Sequence, residues 1–482
     1  MFMLCFSFTI HNTNITGERL MKKITLSVAA LGLIVSANAA DDLSTMFSEG
    51  KASGQIREFS VDREYQGTAG NTTHRKANAI GGHLKFETGD YKGLTLGTAF
   101  YTTNGFLNNS DKTNVTKVDP SLFGPDNQNL TFVGELYLNY KYKNTNFKAG
   151  RQKLDTPMAA GDDARMIRNL FEAYMLTNTD IDGVTLTAGQ ITAFSQGTFG
   201  RVYTGYDNVI ASGGTVASAQ ANGLLSITGG YSYVDPQNNV GNFTNMGTYA
   251  IGESTNGVTV ASVVYTGIEN LKLQLWDYYA YDLMNVVYGQ ADYSWTCLLT
   301  DSVKPYAAVQ FIKEDNVGDD LAGDVNGFYW GAKLGAKVEN FNAYIAYSQT
   351  GENSAAEAAA GGTANAILTP WGGMSAFTQG MVTRHMYLAG TKASKVAASY
   401  NFKSFGPDLS VLGYYASFDM NQYSGYGLAR TATEPGFDVQ YKPEAIKNLN
   451  LRVRGNFPRD FAESASGTTG WSEYRLIVNY NF

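Results

Sequence analysis

Apolar and polar residues alternate, segment after segment, to the last residue of this chain. The terminal stretch WSEYRLIVNYNF sets Tyr474, Leu476, Val478, Tyr480 and Phe482 against Glu473, Arg475, Ile477, Asn479 and Asn481. Side chains on a strand point alternately to its two faces. The stretch therefore reads as a strand with one apolar and one mostly polar face, and the apolar face begins and ends on aromatics. The pattern recurs in NLTFVGELYLNYKYK, where Phe132, Leu136, Leu138, Tyr140 and Tyr142 oppose Glu135, Asn139, Lys141 and Lys143. In GFYWGAKLGAKVEN, Phe328, Trp330, Leu334 and Val338 oppose Lys333, Lys337 and Glu339. In NLNLRVRGNF, Leu449, Leu451, Val453 and Phe457 oppose Asn450, Arg452, Arg454 and Asn456. A soluble sandwich would hide such a face in its core. A membrane barrel would turn it to lipid, with aromatics at the two interfaces.

The other end of the chain decides between them. From Met21 the residues MKKITLSVAALGLIVSANAA give a basic start at Lys22 and Lys23, an apolar run from Leu26 to Val35 and a small-x-small site at Ala37–Ala39. That is the layout of a secretory signal peptide, and the run is shorter than the ~20 residues a membrane helix needs. The expected organisation is residues 1–20 upstream of the true start at Met21, a signal peptide over 21–39, and a barrel domain over 40–482, the mature chain starting near Ala40 or Asp41. The chain has 36 basic and 43 acidic residues. Setting aside Arg19, Lys22, Lys23 and Glu18 leaves 33 against 42, a net charge of −9, which excludes the basic stripes of a nucleic-acid partner. Cys5 lies before the leader and Cys297 stands alone, so no intramolecular disulfide forms.

Short turns such as 89–93, 144–146, 180–183 and 338–340 alternate with longer polar connections at 64–77, 104–130, 153–170, 192–256, 351–393, 419–434 and 457–470. Short turns on one side and long loops on the other are the plan of an outer-membrane barrel. The fold expected is all-β: a transmembrane antiparallel barrel of about 18 strands, both termini periplasmic, with the third outward loop folded into the pore. The periodicity blurs at 52–64 and 257–295. An arginine facing lipid near mid-bilayer would cost about 2–4 kcal/mol, so Arg452, Arg454 and Arg475 must face the lumen, with Lys333 and Lys337. A lumen this polar is expected to be wet rather than packed. The third outward loop, LDTPMAAGDDARMIRNL, gathers Asp162, Asp163, Arg165 and Arg168 where it would narrow the channel.

No constellation for catalysis stands out. A Ser-His pair needs a placed histidine; His83 has no serine nearby, His74 sits in a Thr-rich loop, and His385 lies in a loop segment. No zinc-protease, Cys/His or phosphate-loop motif is present, so neither an enzyme nor a cofactor or metal site is expected. A non-conducting structural or adhesive barrel, its features the long loops 192–256 and 351–393, is the other class the pattern admits.

DDARMIRNLFEA followed by DGVTLTAGQI resembles the constriction-loop signature of the OprD family of substrate-selective outer-membrane porins. IREFSVDREY is similar to that family's first strand, and LNLRVRGNF and EYRLIVNYNF to its last two. The resemblance implies an 18-stranded barrel, monomeric or a loose homotrimer, passing small polar solutes such as carboxylates, amino acids or small ions. It implies a ladder of lumen arginines that guides a carboxylate, falling here on Arg63, Arg165, Arg452, Arg454 and Arg475. Arg63 shares its face with Arg57, but Phe59 and Val61 intervene. Two departures are visible. Arg168 replaces a usual proline, and the region 369–390, where the family places opposing acids, offers Arg384 and His385 instead, which leaves Asp162 and Asp163 to supply that charge. The resemblance also implies outer-membrane lipid as surroundings and the barrel-assembly machinery as a partner, with Tyr480 and Phe482 as its recognition signal.

Overall fold

The computed structural model describes residues 42–66, 72–107, 117–200, 239–359, 364–373, 375–424, 429–461 and 470–482. Residues 1–20 and the leader expected at 21–39 lie outside them. The described strands form one 19-stranded antiparallel sheet in which the first strand, Lys51–Gln66, pairs with both the second, Thr72–Glu87, and the last, Gly470–Asn481. The sheet is thereby closed. A two-residue strand, Thr244–Asn245, pairs only with the tip of Val184–Ser195, so 18 strands build the wall, each beside its neighbours in sequence. Among the described residues no helix is long and apolar enough to cross a membrane.

The short turns fall where the alternation pauses. Tyr142 pairs with Thr145 and Val338 with Phe341, so two residues suffice at each turn. Lys143 and Glu339 take positive φ there, 53° and 51°. Nine connections lie on the opposite side. Two of them, 281–283 and 316–327, go unseen in the pattern, and the loop expected at 419–434 is shorter, because the strands Asp408–Met420 and Arg430–Lys442 extend into it from both sides.

The outward faces carry the apolar sets: Leu136, Leu138, Phe328, Trp330, Leu334, Val453, Tyr474, Leu476, Tyr480 and Phe482 are exposed. Phe132 is an exception. The register shifts between Ala99 and Phe100, whose partners are Glu135 and Val133. The extra residue, Gly134, turns Phe132 inward against Tyr101, with ring centroids 6.0 Å apart.

The lumen is packed in its outer half rather than wet throughout. Phe59, Val61 and Ile477 face inward and are 1–5% exposed beneath Leu122, Phe123 and Ile167 of the inward-folded loops. A second cluster joins wall residues Phe171, Tyr278, Tyr329 and Phe418 to Trp371, Met386 and Tyr387 of the connection 351–391. This explains the blurred periodicity. Where loop packs inside and lipid is expected outside, both strand faces are apolar, and alternation fades. In 258–294, Val260, Tyr278, Val286 and Tyr288 are buried inward while Val263, Leu273 and Leu275 are exposed outward.

The seam closes on the last residue. Gly54 N–H donates to Phe482 O at 2.9 Å, Phe482 N–H donates to Gly54 O at 3.1 Å, and the ring is exposed on the outer face. Deleting Phe482 removes both bonds and the terminal aromatic. The amount of heat-modifiable barrel in outer-membrane fractions is expected to fall several-fold, while any barrel that does assemble conducts normally. Unchanged levels would contradict this.

Candidate functional site

The third outward connection, 153–169, turns into the barrel because its apolar residues have nowhere else to go. Met158, Ala159, Met166 and Ile167 are 0–3% exposed against the wall and neighbouring loops. Backbone bonds fix it: Thr198 N–H donates to Ile167 O at 3.0 Å, and Asn169 Nδ2 donates to Ala160 O at 2.9 Å.

Three of the arginines read as lumen groups meet in one buried cluster at the root of this loop. Glu473 on the last strand accepts from Arg165 Nη2 at 2.7 Å and from Arg63 Nε at 2.6 Å, and its carboxylate lies 2.9 Å from Arg475 Nε as an ion pair. Arg63 also lies 3.4 Å from Asp119, and Arg165 Nε donates to Ser121 Oγ at 2.9 Å. The side chains of Arg63, Arg165, Arg475, Glu473 and Asp119 are all 0–1% exposed. The cluster therefore joins four parts of the chain: the first strand, the connection 106–129, the connection 153–169 and the last strand. Buried guanidinium groups with fixed carboxylate partners hold geometry; they are not free to meet a solute.

The remaining loop charges divide between water and protein. Asp163 is 44% exposed and receives Arg57 Nη1 at 2.6 Å and Nη2 at 3.0 Å. Its surroundings raise its carboxyl by burial, but the Arg57 guanidinium, with Arg168 and Lys153 nearby, holds it below the usual carboxylate range. Arg168 pairs with Asp155, whose carboxylate is 43% exposed. Asp162 faces away from that water. It pairs at 2.8 Å with Arg384, and the two side chains are 6% and 3% exposed. This pair is a charged bond between the third outward connection and the seventh, 351–391, beside the backbone bond from Ala160 N–H to Trp371 O at 3.3 Å. Gly373 N–H adds a bond to Asp162 Oδ1 at 3.3 Å. His385, next in sequence, is buried against Phe461, 4.5 Å between centroids, and burial pushes its imidazole down to about 3, so it stays neutral.

The seventh connection is itself tied to the wall by two inward carboxylates. Glu434 accepts from Thr383 N–H at 3.1 Å, Thr383 Oγ1 at 2.6 Å and Met381 N–H at 2.5 Å. Glu314 accepts from Leu368 N–H at 2.9 Å. Glu434 is out of reach of the pattern, because it falls at the end of the loop expected over 419–434.

Two arcs of wall keep basic groups in contact with lumen water. On one, Arg452 Nε donates to Asp438 at 2.8 and 3.1 Å, and Arg454 lies 3.3 Å from the same carboxylate; their side chains are 29% and 16% exposed. Lys395 reaches Gln379 O at 2.7 Å, and Lys333 stands 4.4 Å over the Phe377 ring. On the other arc, Lys153 pairs with Glu135 at 3.3 Å and Lys85 with Glu87 at 3.0 Å, while Lys148 sits 3.7 Å over the Tyr137 ring. The second arc escaped the sequence reading, although its signal was present: His83, Lys85 and Glu87 alternate with Leu84 and Phe86.

The family model described as outer membrane porin, OprD family, matches residues 45–202 and 208–482. Among solved structures, OpdK of Pseudomonas aeruginosa with vanillate is similar at 16% identity and a TM-score of 0.68, over 91% of this chain and 99% of that one. A BenF-like porin from Pseudomonas fluorescens Pf-5 is similar at 17% identity and 0.68, over the same shares. OccK2 (OpdF) of Pseudomonas aeruginosa in complex with glucuronate follows at 15% and 0.64, again over 91% and 99%. No curated protein sequence matches.

Proposed function

This chain belongs to the OprD family of outer-membrane porins, and from that premise we propose that it guides small carboxylate-bearing solutes, amino acids or small anions past an inward-braced loop by means of exchangeable basic groups in the lumen. Its place is the outer membrane, and its class is that of channels for small solutes rather than enzymes. The similar barrels with vanillate and with glucuronate share the fold at too low an identity to assign a solute here.

The observation that carries the proposal is the Arg452–Asp438–Arg454 group with Lys395 and Lys333. Two guanidinium groups share one carboxylate, so a passing carboxylate competes with Asp438 for a planar fork of donors. A solute must be held well enough to enter and loosely enough to leave, and a partner that exchanges meets both demands. Lys153, Lys148 and Lys85, with Glu135 and Glu87, form the second such path. Asp163 and Asp155, each held by an arginine, Arg57 and Arg168, and each more than two-fifths exposed, supply the acidic side of the constriction. Arg63, Arg165 and Arg475 serve the path indirectly, by fixing the loop whose edge defines it. The signal peptide at 21–39 and recognition of Phe482 and Tyr480 by the assembly machinery belong to the same proposal.

The test is ion selectivity in planar bilayers. Two unit charges about 4 Å apart interact by roughly 1 kcal/mol in water and about 4 kcal/mol at an effective dielectric of 20, and about 1.4 kcal/mol is a factor of ten. Arg452→Glu and Arg454→Glu are each expected to shift the anion-to-cation permeability ratio towards cations by about tenfold, with heat-modifiability retained, because a water-facing position tolerates charge. An unchanged ratio would remove these residues from the path.

A further inference from the structure

On one arc of the outer wall, charge replaces the aromatic rim. The arc is made of the strands Phe341–Thr350, Lys392–Asn401, Asp408–Met420 and Arg430–Lys442. Ala393, Phe418 and Ala432 face inward and are 0–1% exposed, so the residues that alternate with them face out. Three outward rows cross the arc in register. The lowest is Ile345, Val396, Tyr415 and Pro435; the next is Tyr347, Ser394, Ser417 and Thr433; the outermost is Gln349, Lys392, Asp419 and Thr431. Apolar side chains thus give way to hydroxyls and hydroxyls to charge within four residues, about 13 Å of strand. The neighbouring strand, Phe328–Val338, carries exposed Phe328 and Trp330 at its outer end instead, the aromatics that mark a lipid interface.

A pocket of about 430 Å³ opens at the outermost row, between the roots of the seventh connection and the eighth, 421–429. It is lined by Glu352, Lys392, Asp419, Asn421, Arg430 and Thr431, and its size falls in the range of roughly 300–1,000 Å³ in which small ligands are held. Its carboxylates are turned to neutral donors. Thr431 Oγ1 donates to Asp419 Oδ1 at 3.0 Å, and Asn421 Nδ2 donates to Glu352 Oε1 at 2.6 Å. Gly390, at φ 68°, leaves room for that amide, since a Cβ there would stand 2.3 Å from Asn421 Nδ2. Lys392 lies opposite Asp419 in the register, yet among the described residues its ammonium forms no ion pair.

We infer that this pocket seats a phosphorylated sugar headgroup, that of lipopolysaccharide in the outer leaflet. The three rows match such a molecule from tail to head. Acyl chains lie against exposed Ile345, Val396 and Tyr415, the sugar comes level with Ser394, Ser417 and Thr433, and a phosphate reaches Lys392. An ammonium at the rim of a membrane wall is a seat for an anionic headgroup, and a hydrogen bond to an ionised phosphate is of the stronger, charge-assisted kind. The acids select the source of that phosphate. Asp419 and Glu352 repel a bare phosphate, but they accept from sugar hydroxyls. A headgroup with hydroxyls beside its phosphate satisfies both signs of charge in the pocket.

The test is retention of lipid by the purified, detergent-solubilised barrel, read by native mass spectrometry. Wild type is expected to keep rough lipopolysaccharide about tenfold better than phosphatidylglycerol, and to lose that preference when the lipopolysaccharide has been dephosphorylated. Lys392→Glu is expected to weaken retention about tenfold, Lys392→Gln to act in the same sense but less, and Lys392→Arg to retain the lipid. Lys403→Glu reverses a charge at the opposite rim, on a side chain 67% exposed, and is expected to behave as wild type. Heat-modifiability shows that each variant is folded, and Lys392→Gln carries the test if the charge reversal does not assemble. Retention unchanged in the folded Lys392 variants, or equal for the dephosphorylated lipid, would overturn the inference. So would displacement of the lipid by inorganic phosphate at equal concentration, which would make the pocket a site for free anions.

Discussion

Glu473→Leu is expected to free the third outward connection and to destabilise the barrel more than any single substitution of a water-facing lumen charge. Glu473 is the carboxylate shared by Arg63, Arg165 and Arg475, and every member of the group is 0–1% exposed. Removing it leaves three guanidinium groups buried with Asp119 as the nearby acid. Breaking a buried ion pair from one side costs about 3–5 kcal/mol, or at least a hundredfold in the equilibrium between a docked and a released loop. The temperature at which the unheated gel band converts to the unfolded position should drop sharply, and channels that form should show larger, noisier conductance. Arg165→Gln takes only one cation from the cluster and is expected to act in the same sense but less. Liposome uptake of a carboxylate and of a neutral analogue of equal size should rise together in that variant. A fall confined to the carboxylate would mean that Arg165 meets the solute itself, and would return it to the guiding ladder.

The second large effect is expected at Arg384. Its pair with Asp162 is the charged bond between the two inward connections, and both side chains are almost fully covered. Arg384→Leu leaves Asp162 buried beside Gly373 N–H, again a cost of about 3–5 kcal/mol. The wall anchors of the seventh connection at Glu434 and Glu314 remain, so the barrel should stay folded while the gap between the two connections widens. Uptake of solutes too bulky for wild type is the readout. Asp162→Asn combined with Arg384→Leu removes both charges and should recover much of the wild-type exclusion. If the single variant excludes bulky solutes as wild type does, this pair does not set the constriction.

The wall of the barrel was legible because lipid and lumen water impose opposite demands on alternate residues. Leu449 to Asn456 shows this plainly: Val453 is exposed outward, while Arg452 and Arg454 reach Asp438 inside. The signal failed where the inner demand changed. Phe59 and Val61 interrupt a run of arginines because folded loop, not water, covers that part of the lumen. The same covering turned three expected pore arginines into a buried brace. Facing was readable from the sequence, since Arg475 does point inward; accessibility was not, because it depends on where Ser121, Asp119 and Ile167 come to rest, and those lie far away in the chain. Asp162 and Asp163 illustrate the limit at single-residue scale. Adjacent in sequence and alike in chemistry, they part at a residue with φ of 41°, one to Arg384 and the other to Arg57 and the lumen.

The central claim, that exposed lumen cations guide a carboxylate past a braced loop, is tested most directly by liposome uptake of a matched carboxylate and neutral solute through wild type and through Arg452→Gln with Arg454→Gln. Wild type is expected to pass the carboxylate faster, and the double variant to lose about tenfold of that preference while passing the neutral solute at the wild-type rate. A wild-type protein that passes neither solute, or a preference that survives in the double variant, would contradict the account.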